Sequence, residues 1–236
     1  MGRALTWVID RSEWTALYSM IRSRLPLSFD RDQYATDVLS DLISAHRGRT
    51  TLEQLPRLRG AVVVFGCGKN LEEDTRLYME KYSHLPVIAA DGSTKHLLEE
   101  GVLPLIVVTD LDGDVRYINL AAQRGSIVVV HAHGDNVDRL RAVVPRLDGR
   151  LVGSTQVEPR PFVYNFGGFT DGDRSVFLAR ALGSTRVILA GFDFDSPHYC
   201  PSDIAKDLSV KRLKLEVARV LLRYLEERGV RIEFIQ

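Results

Sequence analysis

The sequence predicts an α/β fold with three layers, α/β/α, built on a mostly parallel, Rossmann-like sheet and preceded by a small N-terminal helical region. From residue 60 onwards, short apolar runs rich in β-branched residues alternate with segments of helical spacing. Five of these runs end in polar or glycine-rich motifs, as strands of parallel sheets do where they meet a site. The length of 236 residues allows one large α/β domain with an appendage.

Residues 1–59 are expected to form a helical cap on an α/β catalytic domain at 60–236. Apolar residues recur at helical spacing over 11–25 and 30–46. Two helices alone bury too little apolar surface to fold independently, so the cap should pack on the main domain. Its charged residues are expected on solvated faces, and it shows no functional motif.

The remaining elements follow from the alternation of the two patterns. Strands are predicted at 60–66, 85–90, 105–109, 126–130, 151–154, 162–166, 186–190 and 230–235. Helices are predicted at 71–82, 94–100, 115–124, 136–144, 175–182 and 206–228.

The charge balance argues against some classes of partner. Lys and Arg together number 31, as do Asp and Glu, which gives no support for a nucleic-acid-binding face or a basic membrane patch. There is no apolar run near the roughly 18 residues that span a bilayer, and the first residues lack the apolar core of a signal peptide. We therefore expect a cytoplasmic protein that acts on small molecules, with a homo-oligomer as a further expectation.

The acidic stretch at 105–114 is the most informative motif. An apolar strand stops at Asp110, and Asp112 and Asp114 follow at alternate positions. Three carboxylates at one strand end are costly unless a cation is present, so Asp110 and Asp112 are candidate Mg²⁺ ligands. Asp114 is expected to cap the following helix. The alternative is a solvated acidic turn.

Two other strand ends offer anion-binding groups. Gly66, Gly68, Lys69 and Asn70 form a turn between a strand and a helix, which suits either a phosphate contact or a plain tight turn. After the next strand, Asp91 and Ser93 offer a carboxylate and a hydroxyl; Ser93 is equally well placed to be the N-cap of the next helix.

The fourth strand ends in a histidine motif. His131 and His133 alternate off the strand and precede Asp135 and Asn136. Zinc binding is one interpretation, but no third soft ligand has a recognisable spacing and the nearby aspartates favour a hard cation such as Mg²⁺. Phosphate or Mg²⁺ handling is therefore the preferred prediction.

Two later loops add charge and aromatic rings. The loop at 165–174 carries Asp171, Asp173 and Arg174 before a helix; Arg174 can neutralise phosphate, and either aspartate can cap the helix or hold a ligand. The loop at 191–196 carries two aspartates and two phenylalanines, which either cover the core or stack on a heterocycle. Some cations that follow can reach back to phosphates, although such runs are usually solvated: Lys206, Lys211, Arg212 and Lys214.

As an ordered series, the motifs resemble the archaeal 6-hydroxymethyl-7,8-dihydropterin pyrophosphokinase family (MptE-like), which is related in fold to thiamine pyrophosphokinase. The resemblance rests on GCGKNLEED, AADGSTKHLLEEGVLPLIVVTDLDGD, HAHGDN, NFGGFTDGDR and ILAGFDFD, and FDRDQYATDVLSDLI also looks familiar. It implies transfer of the β,γ-diphosphate of ATP to the hydroxymethyl group of the reduced pterin, with release of AMP, in methanopterin or folate-type biosynthesis.

The resemblance also implies roles for the candidate residues, with Mg²⁺ as cofactor and ATP as co-substrate. The Mg²⁺ ligands would be Asp110 and Asp112, with Asp135 as the third. Phosphate contacts would come from Lys69, His133 and Arg174. Asp171 or Asp173 would orient or deprotonate the attacking hydroxyl. Asp193 or Phe194 would recognise the pterin. Two alternatives stay open: the same chemistry on another alcohol such as thiamine, and a nucleotide-sugar glycosyltransferase-like or nucleotide-binding module.

Overall fold

The computed structural model describes residues 7–197 and 207–236 of the chain. Within these ranges the strands are β1 (Ala61–Phe65), β2 (Val87–Ala90), β3 (Ile106–Thr109), β4 (Ile127–His131), β5 (Arg150–Ser154), β6 (Val163–Tyr164), β7 (Arg186–Ala190) and β8 (Arg231–Phe234). They form one sheet in the order β6-β5-β4-β3-β2-β1-β7-β8, and each neighbouring pair is parallel. The predicted parallel sheet is therefore confirmed.

The helices of the described ranges lie before and between these strands. They are α1 (Arg11–Arg24), α2 (Phe29–Ala45), α3 (Leu71–Leu77), α4 (Asp91–Glu99), α5 (Val115–Gln123), α6 (Val137–Val143), α7 (Asp171–Ala181) and α8 (Leu208–Glu226). A π-helical turn at Tyr78–Tyr82 continues α3, and short 3₁₀ turns cover Leu52–Gln54 and Val144–Arg146.

Helices cover both faces of the sheet, because the strands are apolar on both sides. In β1, Val62 and Val64 pack in one core with α1, α7 and α8, whereas Val63 and Phe65 pack in the core beneath α3 and α4. Helices α2, α5 and α6 cover the same face as α3 and α4, further along the sheet. This arrangement confirms the predicted three layers.

The N-terminal helices pack on opposite faces of the sheet. Trp14 and Ile21 of α1 are buried in one core, and Trp14 Nε1 donates a hydrogen bond of 2.9 Å to the Gln156 carbonyl. Leu39 and Ile43 of α2 are buried on the opposite face, in the core that also contains residues of α5 and α6. The division at residue 59 into a cap and a catalytic domain stays a prediction. None of the described helices is both long and apolar enough to cross a membrane.

Strand order brings the polar strand ends together. From β1 the chain moves outward to β6 at one edge and then returns to β7 on the other side of β1, which creates a topological switch point between β1 and β7. Helix α7 packs beneath β1, β2 and β3, so its N-terminus reaches the carboxyl ends of the central strands. The chain that leaves β6 at the edge of the sheet therefore returns to the centre of the sheet at the start of α7.

Two helices begin earlier than the sequence predicts. Helix α7 begins at Asp171, four residues before the predicted start at residue 175. Helix α4 begins at Asp91 with Ala90 as its N-cap, about one turn before the predicted start. Ser93 is therefore not the N-cap; inside the first turn, its hydroxyl donates to the carbonyls of Phe65 and Ala90. Helix α8 begins after Asp207, its N-cap, and the predicted start at Lys206 lies outside the described residues.

Candidate active site

Three carboxylates meet at the carboxyl edge of the sheet. Asp91 follows β2, Asp110 follows β3, and Asp171 is the first residue of α7. One oxygen atom of each lies within 4.8 Å of the others, a spacing that suits a metal ion. We call these residues the carboxylate trio.

The electrostatics of the trio are those of crowded like charges. Burial raises the pKa of Asp91 to about 7, and the nearby Asp110 and Asp112 also raise it. Burial raises the pKa of Asp171 well above its ordinary value, and Asp110 and Asp91 raise it further. Such a site favours either protonation or a bound cation.

Among the described residues, hydrogen bonds hold only one of the two carboxylate oxygens of Asp91. Its Oδ2 accepts hydrogen bonds from Thr109 Oγ1 at 2.5 Å and from the Gly113 amide at 3.3 Å. Its Oδ1 is buried and has no hydrogen-bond partner among the described residues. A Cβ at position 113 would lie 2.0 Å from that oxygen, so only glycine leaves Asp91 its place.

The loop after β3 is strained where it presents its carboxylates. Leu111 has a φ of 66°, a left-handed conformation that side chains other than glycine rarely adopt. Its side chain is buried, and its amide donates to Thr109 Oγ1 at 2.7 Å. The Asp112 amide donates to Asp110 Oδ1 at 3.1 Å, so the turn restrains the Asp110 carboxylate.

The loop after β4 supports Asp110. His133 Nε2 lies 3.2 Å from Asp110 Oδ2, and His133 Nδ1 lies 3.3 Å from the Asp135 amide. Because Nδ1 accepts from that amide, we assign the ring proton to Nε2, which then donates to Asp110. Asn136 is fully buried; its side-chain amide donates to the carbonyls of Asp110 and His131.

His131 lies deeper than His133. Its Nδ1 is 3.0 Å from Ser154 Oγ, whereas its buried Nε2 has no hydrogen-bond partner among the described residues. Burial lowers the pKa of His131 well below its ordinary value, and the positive charge of Arg174 lowers it further. His131 is therefore neutral near pH 7.

The charged residues at the start of α7 have different hydrogen-bond partners. Asp173 is buried and accepts hydrogen bonds from the amides of Phe169 (2.5 Å) and Thr170 (2.9 Å), and also from the Thr170 hydroxyl. It therefore completes the capping box of α7, whose N-cap is Thr170. Arg174 is only 1% exposed, and its Nη2 donates to the Phe169 carbonyl at 2.8 Å.

The glycine loop after β1 packs tightly on the loop after β7. The Gly68 amide donates to the Gly191 carbonyl at 2.6 Å, and a Cβ at position 68 would lie 2.8 Å from that oxygen. Lys69 Nζ lies 3.0 Å from Asp193 Oδ2. Asn70 donates to Asp74, which also accepts from the Gly191 amide, so the polar groups of this loop largely join the two loops to each other.

A cavity of about 320 Å³ opens above the sheet edge, a volume in the range of small-molecule sites. Several residues predicted as site residues line it: Gly66, Gly68, Asp91, Asp110, Asp112, His131, His133, Asp135 and Asp171. Others do not line it: Lys69, Asn70, Ser93, Asn136, Asp173 and Arg174. Of the cations considered near the start of α8, Lys211 and Lys214 line it as well, whereas Lys206 lies outside the described residues.

The metal ligands predicted from the sequence do not all meet. Asp110 belongs to the trio, and Asp112 lines the same cavity. The Asp135 side chain is 71% exposed, and Arg31 donates to it at 2.9 Å. The ligand set stays a prediction, to which the structure adds Asp91 and Asp171 as candidates.

The N-terminal region contributes to the cavity, although no functional motif was expected there. Asp32 and Gln156 line the cavity, and Asp32 is only 3% exposed, so the prediction that the charged residues of this region are solvated is wrong for Asp32. The signal was present: Asp32 stands on the same helical stripe as the buried Leu39 and Ile43. An aspartate on an apolar stripe is unusual enough to indicate a buried polar role.

Comparison with known sequences gives consistent matches. A family model described as 6-hydroxymethylpterin diphosphokinase MptE-like matches residues 41–198. A 6-hydroxymethyl-7,8-dihydropterin pyrophosphokinase from Methanothermobacter thermautotrophicus is 42% identical over 93% of this chain and 97% of its own. Proteins of the same name from Pyrococcus furiosus and Methanocaldococcus jannaschii are 40% and 34% identical, over 92% and 97% of this chain and 94% and 100% of their own.

Comparison with solved structures gives a match in fold. The Maf glycosyltransferase from Magnetospirillum magneticum superposes with a TM-score of 0.51 at 16% identity. The match covers 84% of this chain but only 35% of that protein. At this identity the likeness shows a shared α/β fold and nothing about activity.

Proposed function

Because the chain belongs to the MptE-like family of 6-hydroxymethylpterin diphosphokinases, we propose that it transfers the β,γ-diphosphate of ATP to 6-hydroxymethyl-7,8-dihydropterin. The products are AMP and the pterin diphosphate, an intermediate of methanopterin or folate-type biosynthesis in the cytoplasm. The observation that carries the proposal is the carboxylate trio at the wall of a cavity that also bears lysines. Polyphosphate transfer requires such a cation site, since the charge on the phosphates must be neutralised.

The donor set of the trio fits Mg²⁺. All three side chains offer hard oxygen ligands, and Asp91 Oδ1 is buried without a hydrogen-bond partner among the described residues. Asp91, Asp110 and Asp171 would hold the ion, and Asp112 lies close enough to raise the pKa values of Asp91 and Asp171. Bound there, Mg²⁺ would neutralise the phosphate charge that develops during transfer.

The chain's own residues position the reacting groups. In the proposed step, the hydroxymethyl oxygen bonds to the β-phosphorus, the bond between that phosphorus and the α,β-bridging oxygen breaks, and AMP leaves with that oxygen. The hydroxyl proton passes to a carboxylate of the cavity wall. Of the two candidate bases, Asp171 lines the cavity, whereas Asp173 is engaged in the capping box. We therefore assign the proton to the carboxylate oxygen of Asp171 that would not hold the ion, since each member of the trio offers one oxygen atom to the ion.

Incubation of the purified protein with ATP, MgCl₂ and 6-hydroxymethyl-7,8-dihydropterin tests the proposal. We expect AMP to form only when the pterin is present, and thiamine in its place should give none. Asp110→Ala and Asp171→Ala should each abolish AMP formation, while Asp148→Ala, at an exposed carboxylate bonded to Asn119 and Gln123, should leave it unchanged. A wild-type protein that forms no AMP with the pterin would overturn the proposal.

A further inference from the structure

The cavity extends to both sides of the carboxylate trio. On one side are the loops after β1 and β7 with the start of α8, which we call the α8 end. On the other side are the turn between α1 and α2 and the loops after β4 and β5, which we call the α2 end. From β7 to β5 there are five strand spacings, roughly 24 Å at about 4.8 Å each, enough for two substrates to approach the trio from opposite directions.

We propose that the α2 end binds the pterin ring and that the α8 end binds the nucleotide, an assignment that rests on the proposed diphosphate transfer. The trio then lies between the two substrates, where the β-phosphorus and the hydroxymethyl oxygen must meet. The pterin site is built largely by the N-terminal helical region, which gives that region a role in choosing the acceptor.

The charges of the described residues that line the two ends differ. At the α8 end, Lys211 and Lys214 balance Asp193 and Asp207, and Lys69, which does not line the cavity, lies 3.0 Å from Asp193. At the α2 end, Arg31 stands against two aspartates, Asp32 and Asp135, the second of which it contacts at 2.9 Å. A triphosphate is repelled by the net negative charge of the α2 end, whereas the lysines of the α8 end can contact its phosphates. A neutral pterin is not repelled by the α2 end in this way.

Asp32 offers the hydrogen-bonding chemistry that a pterin needs. Its Oδ2 accepts from the Tyr18 hydroxyl at 2.5 Å and from Gln156 Nε2 at 2.7 Å. Its Oδ1 accepts from the Gly134 amide at 2.8 Å, the one hydrogen bond to that oxygen from the described residues, which leaves it acceptor capacity. The amino-pyrimidinone edge of a pterin presents adjacent N–H donors that a carboxylate can accept.

Asp32 is held rigidly in this place. The groups that bond to it come from α1 and from the loops after β4 and β5, and a Cβ at position 134 would lie 2.6 Å from Arg31 Cβ. A carboxylate that is 3% exposed at a cavity wall is expensive to bury, and the proposed phosphate chemistry does not use it. Pro26 and Leu27 line the same end and offer an apolar wall for the ring.

Asp193, the pterin contact implied by the family resemblance, is engaged differently. Its Oδ1 accepts from the amides of Asp195 and Ser196, and its Oδ2 lies 3.0 Å from Lys69 Nζ. Burial acts to raise the pKa of Asp193, but the bonds from Lys69 and from the two amides outweigh it and leave the pKa below its ordinary value. The geometry therefore favours Asp32 over Asp193 for the pterin edge.

Equilibrium binding of each substrate alone tests the assignment. Pterin binding is measured by its fluorescence, and nucleotide binding by calorimetry with the ATP analogue that has a methylene group in place of the α,β-bridging oxygen. Leu27→Trp should fill the α2 end and raise the Kd of the pterin by about tenfold or more, with the Kd of the analogue within about twofold. Lys214→Ala should raise the Kd of the analogue by about tenfold or more and leave the Kd of the pterin within about twofold.

The controls use the same substitutions at remote, exposed positions. Leu103→Trp, in the segment that precedes β3 at the opposite edge of the sheet, and Lys81→Ala, at the end of the turn after α3, should leave both Kd values unchanged. Asp32→Asn should also raise the Kd of the pterin selectively, and Leu27→Trp provides the same information if Asp32→Asn does not fold.

The outcomes separate this inference from the proposed function. If the wild-type protein forms AMP with the pterin but Leu27→Trp weakens the analogue and spares the pterin, the assignment of the two ends is wrong and the proposed function stands. If the wild-type protein neither binds the pterin nor forms AMP with it, the proposed function fails, and the inference fails with it.

Discussion

At the scale of single residues, the site depends on groups that make room for, or restrain, the carboxylate trio. Gly113 leaves the space that Asp91 fills, and Leu111 turns the loop at the cost of a left-handed backbone. His133 and Thr109 each donate a hydrogen bond to a member of the trio. The acidic motif alone shows none of these relationships, because each depends on contacts between separate loops.

Gly113→Ala should disable the site without unfolding the protein. The new Cβ would lie 2.0 Å from Asp91 Oδ1, so the carboxylate must move. We expect kcat/KM to fall by about 100-fold, in line with the cost of misplacing a reacting group. Gly60→Ala is the matched control: its φ is +89° with open space around the Cβ, so it should cost about 1 kcal/mol of stability and leave activity unchanged. Steady-state kinetics and urea unfolding of both variants would show whether the effects separate in this way.

The crowded carboxylates predict a dependence of stability on pH. In the folded state the pKa of Asp91 is about 7, above its ordinary value of 3.8, so the folded protein binds this proton more tightly than the unfolded chain. The contribution of Asp91 to the free energy of unfolding is therefore full below about pH 4 and is lost as the pH rises through about 7.

Mg²⁺ should restore this lost stability, because it favours the charged carboxylates. We expect MgCl₂ to raise Tm more at about pH 8 than at about pH 5.5, and Asp91→Asn to reduce both the pH dependence and the Mg²⁺ effect. Differential scanning calorimetry at the two pH values measures both. An equal Mg²⁺ effect at the two pH values would contradict the cation site.

At the scale of elements, the strands were the most predictable part of the fold. All eight were recognised, most of them because a parallel strand that is buried on both faces is a continuous apolar run. The exception is the edge strand β8, which is not buried and alternates charged and apolar residues. Helix starts were predicted less accurately: α4 begins directly after β2, without the predicted cap at Ser93. The Asp114 cap of α5 was predicted and is confirmed, since its side chain accepts from the Arg116 amide.

The start of α7 predicts opposite effects of two neighbouring substitutions. Asp173→Asn should lower the free energy of unfolding by about 1–2 kcal/mol, because it weakens the capping box. Asp171→Asn should raise it near neutral pH without Mg²⁺, because burial and the neighbouring Asp110 and Asp91 disfavour the charged form of Asp171 in the folded state, and should abolish activity. Urea unfolding of both variants at one pH tests the contrast. A stabilised Asp173→Asn variant would show that this side chain does not cap the helix.

At the scale of the whole molecule, the N-terminal helices are part of both cores and of the cavity wall. Trp14, Tyr18 and Ile21 pack with strand and helix residues of the 60–236 region, and Asp32 lines the cavity. A boundary at residue 59 therefore divides the sequence into two stretches, but we do not expect residues 60–236 to fold alone.

A fragment comprising residues 60–236 should therefore fail to fold cooperatively. Its loss of α1 and α2 would expose the apolar surface that these helices cover on both faces of the sheet. We expect no cooperative thermal transition in calorimetry, whereas the full chain should show one. A fragment with a sharp transition and native-like circular dichroism would instead establish 60–236 as an independent domain.

The sheet, the alternation of strands and helices, and the convergence of five polar strand ends can all be predicted from the sequence, because each depends on local patterns and on the geometry of parallel strands. Which carboxylates meet depends instead on the packing of distant elements. Asp171 joins Asp91 and Asp110 because α7 runs beneath the central strands, whereas Asp135 bonds to Arg31 of α2. Such pairings depend on the paths of elements far apart in sequence, which local patterns do not specify.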